Sequence, residues 1–351
     1  MRHFLVTILA VPSALTAQDV SRYELRDAHV AIYNLVGEAT IEAGSGNAVT
    51  VEVRRRGADA RELQIEHGPI AGRGTLRILY PTDQIHYDPP GSWGGTSTEV
   101  RVREDGTFND SHWTEDRRAR GRRVRITSRR GGLDAFAELR IQIPRGRRVA
   151  LYVAAGPVTV RNVDGTLRVD GGASPVTASG TRGTLVVDVG SGKVEVTDAE
   201  GNVDIDTGSG SVTVADVRGD LLRIDTGSGS VDATRIAVRR LDIDTGSGGV
   251  RIEQATVDQV VIDTGSGSVH AALGGTVSDV EIDTGSGSVT LTLPPSFGAA
   301  VDLESGSGGI DLEFPVEVRR IERDHVRGTI GDGSGRLKID TGSGRITVRR
   351  S

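Results

Sequence analysis

Asn202-Val203-Asp204-Ile205-Asp206-Thr207-Gly208-Ser209-Gly210-Ser211-Val212-Thr213-Val214 is the stretch on which the fold turns. Val203 and Ile205 alternate with Asp204 and Asp206, and Val212 and Val214 alternate with Ser211 and Thr213. An alternation of period two means a strand with one buried face. Between the two strands lies Thr207-Gly208-Ser209-Gly210, read as a turn. Its glycines are free to take positive φ, and the flanking Asp and Ser can bond nearby amides. A second, more variable turn is expected at Asp216–Asp220.

The same unit recurs along the chain. Asp-Thr-Gly-Ser-Gly stands at Asp206–Gly210, Asp225–Gly229, Asp244–Gly248, Asp263–Gly267 and Asp283–Gly287, with looser copies at Asp188–Gly192, Glu304–Gly308 and Asp340–Gly344. A period close to 20 residues is the signature of stacked repeats. One inward column is expected to run through Val187, Ile205, Ile224, Ile243, Ile262, Ile282, Leu303 and Ile339. Another runs through Val196, Val214, Ala233, Ile252, Ala271, Leu291, Leu312 and Val348. An antiparallel meander would give the same alternation, but it would not need the same turn at every second connection. The expected fold is therefore all-β, a right-handed parallel β-solenoid (β-helix) with about two strands and 19 residues per coil. Each coil adds ~4.8 Å to the column.

Composition agrees with a slim cylinder. Aromatics make up 3% of the 351 residues, so small β-branched side chains must fill the interior. A solenoid can also grow without splitting into globular domains. Arg2, His3 and the apolar run Phe4–Val11, followed by Ala14-Leu15-Thr16-Ala17, read as a secretory signal peptide over residues 1–17. The mature chain is then expected outside the cytoplasm, periplasmic or extracellular. No stretch reaches the ~20 apolar residues of a membrane-spanning helix. With no cysteine, the chain has neither disulfides nor thiolate chemistry.

The expected organisation continues with irregular coils over 22–80, an aromatic and Arg-rich insertion over 81–131, and a regular solenoid over 132–351, interrupted by a cap at 313–335. In the first of these, Glu42–Gly46 followed by Val49–Val53 reads as an early coil of the same kind. At the far end, Arg349 and Arg350 are expected to discourage pairing at an open edge.

Charge is uneven. Residues 151–351 carry 19 Lys+Arg against 29 Asp+Glu, and residues 81–150 carry 14 against 10. A net charge of −6 in an exported chain argues against nucleic acid as a partner.

Few constellations could carry chemistry. Asp-Thr-Gly-Ser is the aspartic-protease motif, but that chemistry needs two copies facing each other from separate lobes. The glycines lack the Gly-Lys-Ser/Thr of a phosphate loop. The column Asp206, Asp225, Asp244, Asp263 and Asp283 is expected to accept hydrogen bonds from turn amides and hydroxyls. A row of calcium ions is the alternative, although the aspartates precede the glycines and so depart from the calcium-solenoid consensus. No metal is favoured, and no cofactor is expected. The insertion is the best candidate for a specific contact. Together with the preceding Tyr80 it holds Tyr87, Trp93, Phe108 and Trp113, five of the twelve aromatics, and an arginine series that includes Arg117, Arg118, Arg122 and Arg123. Trp, Tyr and Arg dominate binding hot spots. The binding candidates are Tyr87, Trp93, Trp113, Arg117, Arg118, Arg122 and Arg123, set against the plainer reading of a loop packed on the solenoid as a cap.

The Ile-Asp-Thr-Gly-Ser-Gly-Ser-Val ladder, the upstream Leu139–Gly146 and the signal peptide together resemble the bacterial putative-adhesin family, a β-strand-repeat domain of unknown function. The similarity covers about residues 135–350 and is thinner over 22–80. It implies a parallel β-solenoid in an exported or membrane-tethered envelope protein, and it brings no catalytic or binding residues. The expected function is a non-catalytic exported scaffold contacting cell-wall or surface polysaccharide, or an envelope protein. The alternatives are a polysaccharide-acting lyase or hydrolase and a self-assembling spacer. The sequence does not set the oligomeric state.

Overall fold

Parallel strands stacked in register build the molecule. The computed structural model describes residues 20–88, 97–110 and 121–351. The strands Val176–Ser191, Val194–Thr207, Val212–Thr226, Val231–Thr245 and Val250–Thr264 each pair in parallel with the next. Like stands on like: Ile205 pairs with Ile224 and Ile224 with Ile243, while Val212 pairs with Val231. Both expected columns are buried apart from Leu312, which is half-buried, with Ile205, Ile224, Val214 and Ile252 fully out of solvent. The fold is all-β and a parallel solenoid, as the repeat implies.

The second corner differs from expectation. These strands run for 14 to 16 residues, straight through the segment read as a variable turn. A single residue with left-handed φ bends each one: Gly180 at 65° in the first, then Asp198, Asp216, Arg235 and Gln254 at 52° to 56°. Each drops out of the ladder, and at Asp198 and Asp216 the neighbours on both sides stay paired, as Ala215 with Thr234 and Val217 with Ile236 on either side of Asp216. The chain turns without giving up its hydrogen bonds, so a third apolar strip forms. Ala199, Val217, Ile236 and Ala255 lie in it, all buried. Further along the device is absent: Ile252 pairs with Ala271 and Ala255 with Leu273, so one residue fewer spans the bend, and the strands Val269–Gly274 and Asp279–Thr284 are short and separate, with Gly275 at φ 82° between them.

The last coil is out of order. Gly335–Thr341 pairs in parallel with Asp279–Thr284 on one side and with Ala299–Ser305 on the other. Ile346–Arg350 likewise lies between Val289–Leu293 and Ile310–Leu312. The chain therefore skips a level after Leu293, forms the coil 299–312, and returns to fill the gap. The skip falls at Pro294-Pro295, where a turn closed by the Phe297 amide on the Pro294 carbonyl at 3.0 Å follows the end of the strand Val289–Leu293. A hairpin of Val316–Ile321 and His325–Ile330 then runs antiparallel on the outer side of Ala299–Ser305. Arg349 and Arg350 are consequently not at the open edge; they pair with Thr292 and Leu293.

The other end is closed in a similar way. His29–Val36 and Ala39–Ala43 form one parallel coil stacked on Arg147–Ala155 and Val158–Arg161. Val49–Arg56 is not the next arm of that coil. It runs antiparallel to Val20–Leu25 and Phe136–Ile143. The spacing carried this signal: four residues separate the first glycine from the first inward residue in the repeats, as from Gly208 to Val212, whereas five separate Gly44 from Val49. Gln64–Ile70 and Arg73–Leu79 add an antiparallel hairpin beside His29–Val36.

In the insertion, Gln84–His86, Ser97–Val102 and Arg122–Thr127 form a separate three-stranded sheet. It lies against Arg147–Ala155 and Asp164–Ala173.

Candidate interaction surfaces

The Thr-Gly-Ser-Gly corner is built by its threonine. Thr207, Thr226, Thr245, Thr264, Thr284 and Thr341 are buried. The Thr245 hydroxyl accepts the Gly248 amide at 3.0 Å and donates to the Gly229 carbonyl of the coil beneath at 3.2 Å. Thr226, Thr264 and Thr284 repeat this pair of bonds. At the crowded end, Thr341 donates to Gly287 and Ser305 donates to Gly344, which follows the inserted order of the coils. A hydroxyl so placed satisfies both polar groups that the buried corner would otherwise strand.

The glycines serve close approach rather than positive φ. None of Gly208, Gly210, Gly227, Gly229, Gly246 and Gly248 has a left-handed φ. A Cβ on Gly248 would instead lie 1.8 Å from the Gly229 carbonyl oxygen. The serines between the glycines, such as Ser228 and Ser247, face solvent.

The aspartate column runs along the same edge, in register from Asp188 to Asp283 and on to Asp340. Its carboxylates do not take the turn amides, because the threonines already hold them. Asp206, Asp244, Asp263 and Asp283 have no hydrogen-bond or ion-pair partner among the described residues. Burial, then the carboxylates above and below, hold Asp206, Asp244 and Asp283 above the usual carboxylate range. Among the described residues no group of three or more acidic or histidine side chains is placed to hold a metal ion.

The bent corner carries its charge differently. Arg235 donates twice to Asp216 at 2.7 Å, and Arg239 donates to Asp220. These bonds, more than anything else, hold Asp216 and Asp220 below their ordinary range.

Of the binding candidates, Trp93, Trp113, Arg117 and Arg118 lie outside the described residues. Tyr87 packs on Phe136 at 5.4 Å, and burial pushes its hydroxyl up to about 12. Arg122 donates to the backbone carbonyls of Tyr80 and Thr82. Arg123 is exposed and pairs with Glu99 at 3.4 Å. The structure thus gives Tyr87 and Arg122 internal partners and leaves Arg123 on the surface. A half-open cavity of about 690 Å³ lies between the insertion and the solenoid end, floored by Leu35, Ile78, Tyr80 and Val102, with Arg103 and Glu104 among its walls.

A polar cluster that sequence reasoning missed anchors the insertion. The Tyr33 hydroxyl donates to Asp110 at 2.6 Å, and Arg73 and Arg103 pair with the same carboxylate at 2.7 and 2.9 Å. Asp110 is buried, and Tyr33 stacks flat on Tyr152 at 4.6 Å with Phe108 edge-on. Burial, then the Asp110 bond, raise the Tyr33 hydroxyl far beyond its ordinary value, so it serves as a donor. Asn109 donates to Asp170, whose carboxyl is raised to about 6 by burial and then by Asp188. These residues come from segments far apart in the chain, and no local motif marks them.

The family model described as Toastrack DUF4097 matches residues 97–349, and the chain belongs to that family, a domain of unknown function. Two solved structures are similar to it. One is described as a putative cell adhesion protein from Clostridium sporogenes ATCC 15579, at 10% identity and a TM-score of 0.22, covering 95% of this chain and 99% of that one. The other is described as a putative lipid binding protein from Parabacteroides distasonis ATCC 8503, at 10% identity and a TM-score of 0.34, covering 95% and 96%. Similarity this low transfers neither described role. No curated protein matches the chain. Among the described residues no helix is long and apolar enough to cross a membrane, which says nothing of a β-barrel.

Proposed function

We propose that this chain is a non-catalytic, exported scaffold whose acidic edge contacts cell-envelope or surface polymers. The supporting observation is the unpartnered column of Asp206, Asp244, Asp263 and Asp283 beside outward-facing serines. Carboxylates repeated at ~4.8 Å, of which Asp206, Asp244 and Asp283 are raised by burial and then by their neighbours, gain most from a ligand that brings positive charge or hydrogen-bond donors. The neighbouring charges of the bent corner already have partners. A flat, regular edge suits an extended polymer better than a compact solute.

The test is co-sedimentation of the full chain with purified cell-wall and lipopolysaccharide fractions. The Asp244→Asn, Asp263→Asn, Asp283→Asn triple variant should lose most of its binding; undiminished binding would remove the edge from the proposal. For the insertion, deletion of 81–130 is a poor probe, since it removes buried Phe108 and Asp110. Trp93→Ala, Trp113→Ala, Arg117→Ala and Arg118→Ala are the cleaner variants, and an unchanged ligand preference would assign the insertion a structural role. Export predicts a mature N-terminus at Gln18, readable by N-terminal sequencing of the secreted protein. The non-catalytic reading predicts no new reducing ends or unsaturated products from acidic glycans.

A further inference from the structure

Three large hydrophobic side chains are well exposed among the described residues: Val20 at 43%, Val318 at 50% and Ile321 at 69%. Two of them lie on one strand, Val316–Ile321, the outermost of the terminal hairpin. That strand pairs with His325–Ile330 alone, so its far edge offers backbone donors and acceptors without ladder partners. No proline interrupts it. A bulge between Val318 and Arg320 takes Arg319 out of the ladder with the inner strand. Glu317 and Arg319 are exposed, and neither has an ion-pair partner among the described residues, whereas Arg320 is held by Glu322 at 2.9 Å.

We propose that two copies of the chain join through this strand, edge to edge and antiparallel, about a two-fold axis at Val318. Symmetry limits the choices. With a two-fold axis normal to the sheet, the central residue faces its own copy, and the residue before it faces the residue after it. Centring on Glu317 sets two carboxylates opposite each other, and centring on Arg319 sets two guanidinium groups opposite each other. Like charges directly across a ladder destabilise it. Centring on Val318 places Val318 against Val318 and Glu317 against Arg319, twice. The free charges and the exposed valine are then all used by a single register. The contact is one short strand pair, so it is weak and depends on concentration. It continues the sheet of one solenoid into the other and doubles the length of the rod. The inference rests on the fold and on this edge, not on the polymer-contact reading.

The absence of native cysteine makes the test direct. Val318→Cys should form a disulfide-linked dimer under mild oxidation, several-fold more than Ser247→Cys on the exposed flank; equal yields, or none, overturn the proposal. Sedimentation of the unmodified chain should show self-association as concentration rises, and a monomer throughout also overturns it. Glu317→Arg should shift the equilibrium to monomer, and adding Arg319→Glu in the same chain should restore the dimer. A dimer indifferent to both changes refutes the register. All these positions are exposed, so folding is not at stake.

Discussion

The two corners of each coil solve one problem by opposite means. The Thr-Gly-Ser-Gly corner repeats its sequence nearly unchanged, while the bent corner is occupied in turn by Asp198, Asp216, Arg235 and Gln254. At the first, backbone lies against backbone and a buried hydroxyl bridges two coils. Every atom is specified, and little can vary. At the second, one residue takes a left-handed φ with its side chain outside, and many side chains accept that at a modest cost. Repetition of sequence in this chain marks crowding, not turning.

Four substitutions can break or sharpen that contrast. The largest effect is expected from Gly248→Ala, whose Cβ would sit 1.8 Å from the Gly229 oxygen. It should cost more than about 3 kcal/mol in denaturant unfolding. Gly249→Ala, one residue on, meets nothing closer than 3.5 Å and should change stability by less than about 0.5 kcal/mol. Equal costs at the two positions would refute the close-approach account. Next, Thr245→Val keeps the shape and leaves the Gly248 amide and the Gly229 carbonyl unpaired, a loss of about 1–3 kcal/mol. At the bent corner the sign reverses. Gln254 holds φ 55°, so Gln254→Gly should stabilise by about 0.5–1 kcal/mol, read as a higher denaturant midpoint.

The smallest effect separates the corners by pH. Asp244 is raised in the folded state, so its contribution is best below the ordinary carboxylate range and worsens as pH rises through the raised value. Asp216 is lowered, so its contribution is present above that range and disappears as pH falls through the lowered value. At neutral pH and low salt, Asp244→Asn should raise the melting temperature slightly and Asp216→Asn should lower it. Both differences should vanish in acid, and a shared sign at neutral pH would contradict the contrast.

How much of this could be read in the sequence follows from the same physics. The inward columns and the glycine corners are local and periodic, and they appear in the structure where the alternation places them. The direction of Val49–Arg56 was not legible from alternation, because a period of two looks alike in parallel and antiparallel ladders. The single extra residue after Gly44 was the available clue. The third apolar strip was hidden because each coil gives it a single residue, such as Val217 between Asp216 and Arg218, too few to show an alternation. The insertion's aromatics were visible as a group, but their roles were not. Phe108 and Tyr80 are core, and Tyr33, Arg73, Asp110 and Tyr152 meet only because the chain brings distant segments to one end. The threonine hydroxyl, rather than the aspartate, as partner of the corner amide was also out of reach, since both residues recur at every corner.

The late return of Gly335–Arg350 into the stack reverses the usual expectation about chain ends. Terminal residues ordinarily fray first. Here the closing coil is flanked by strands on both sides. Its amide protons should exchange with deuterated water as slowly as those of the central coils, while the strand Val316–Ile321, earlier in the chain, loses its protection first. Wear should therefore begin upstream of the tail, and a protease that trims loose ends would find its first foothold in the hairpin.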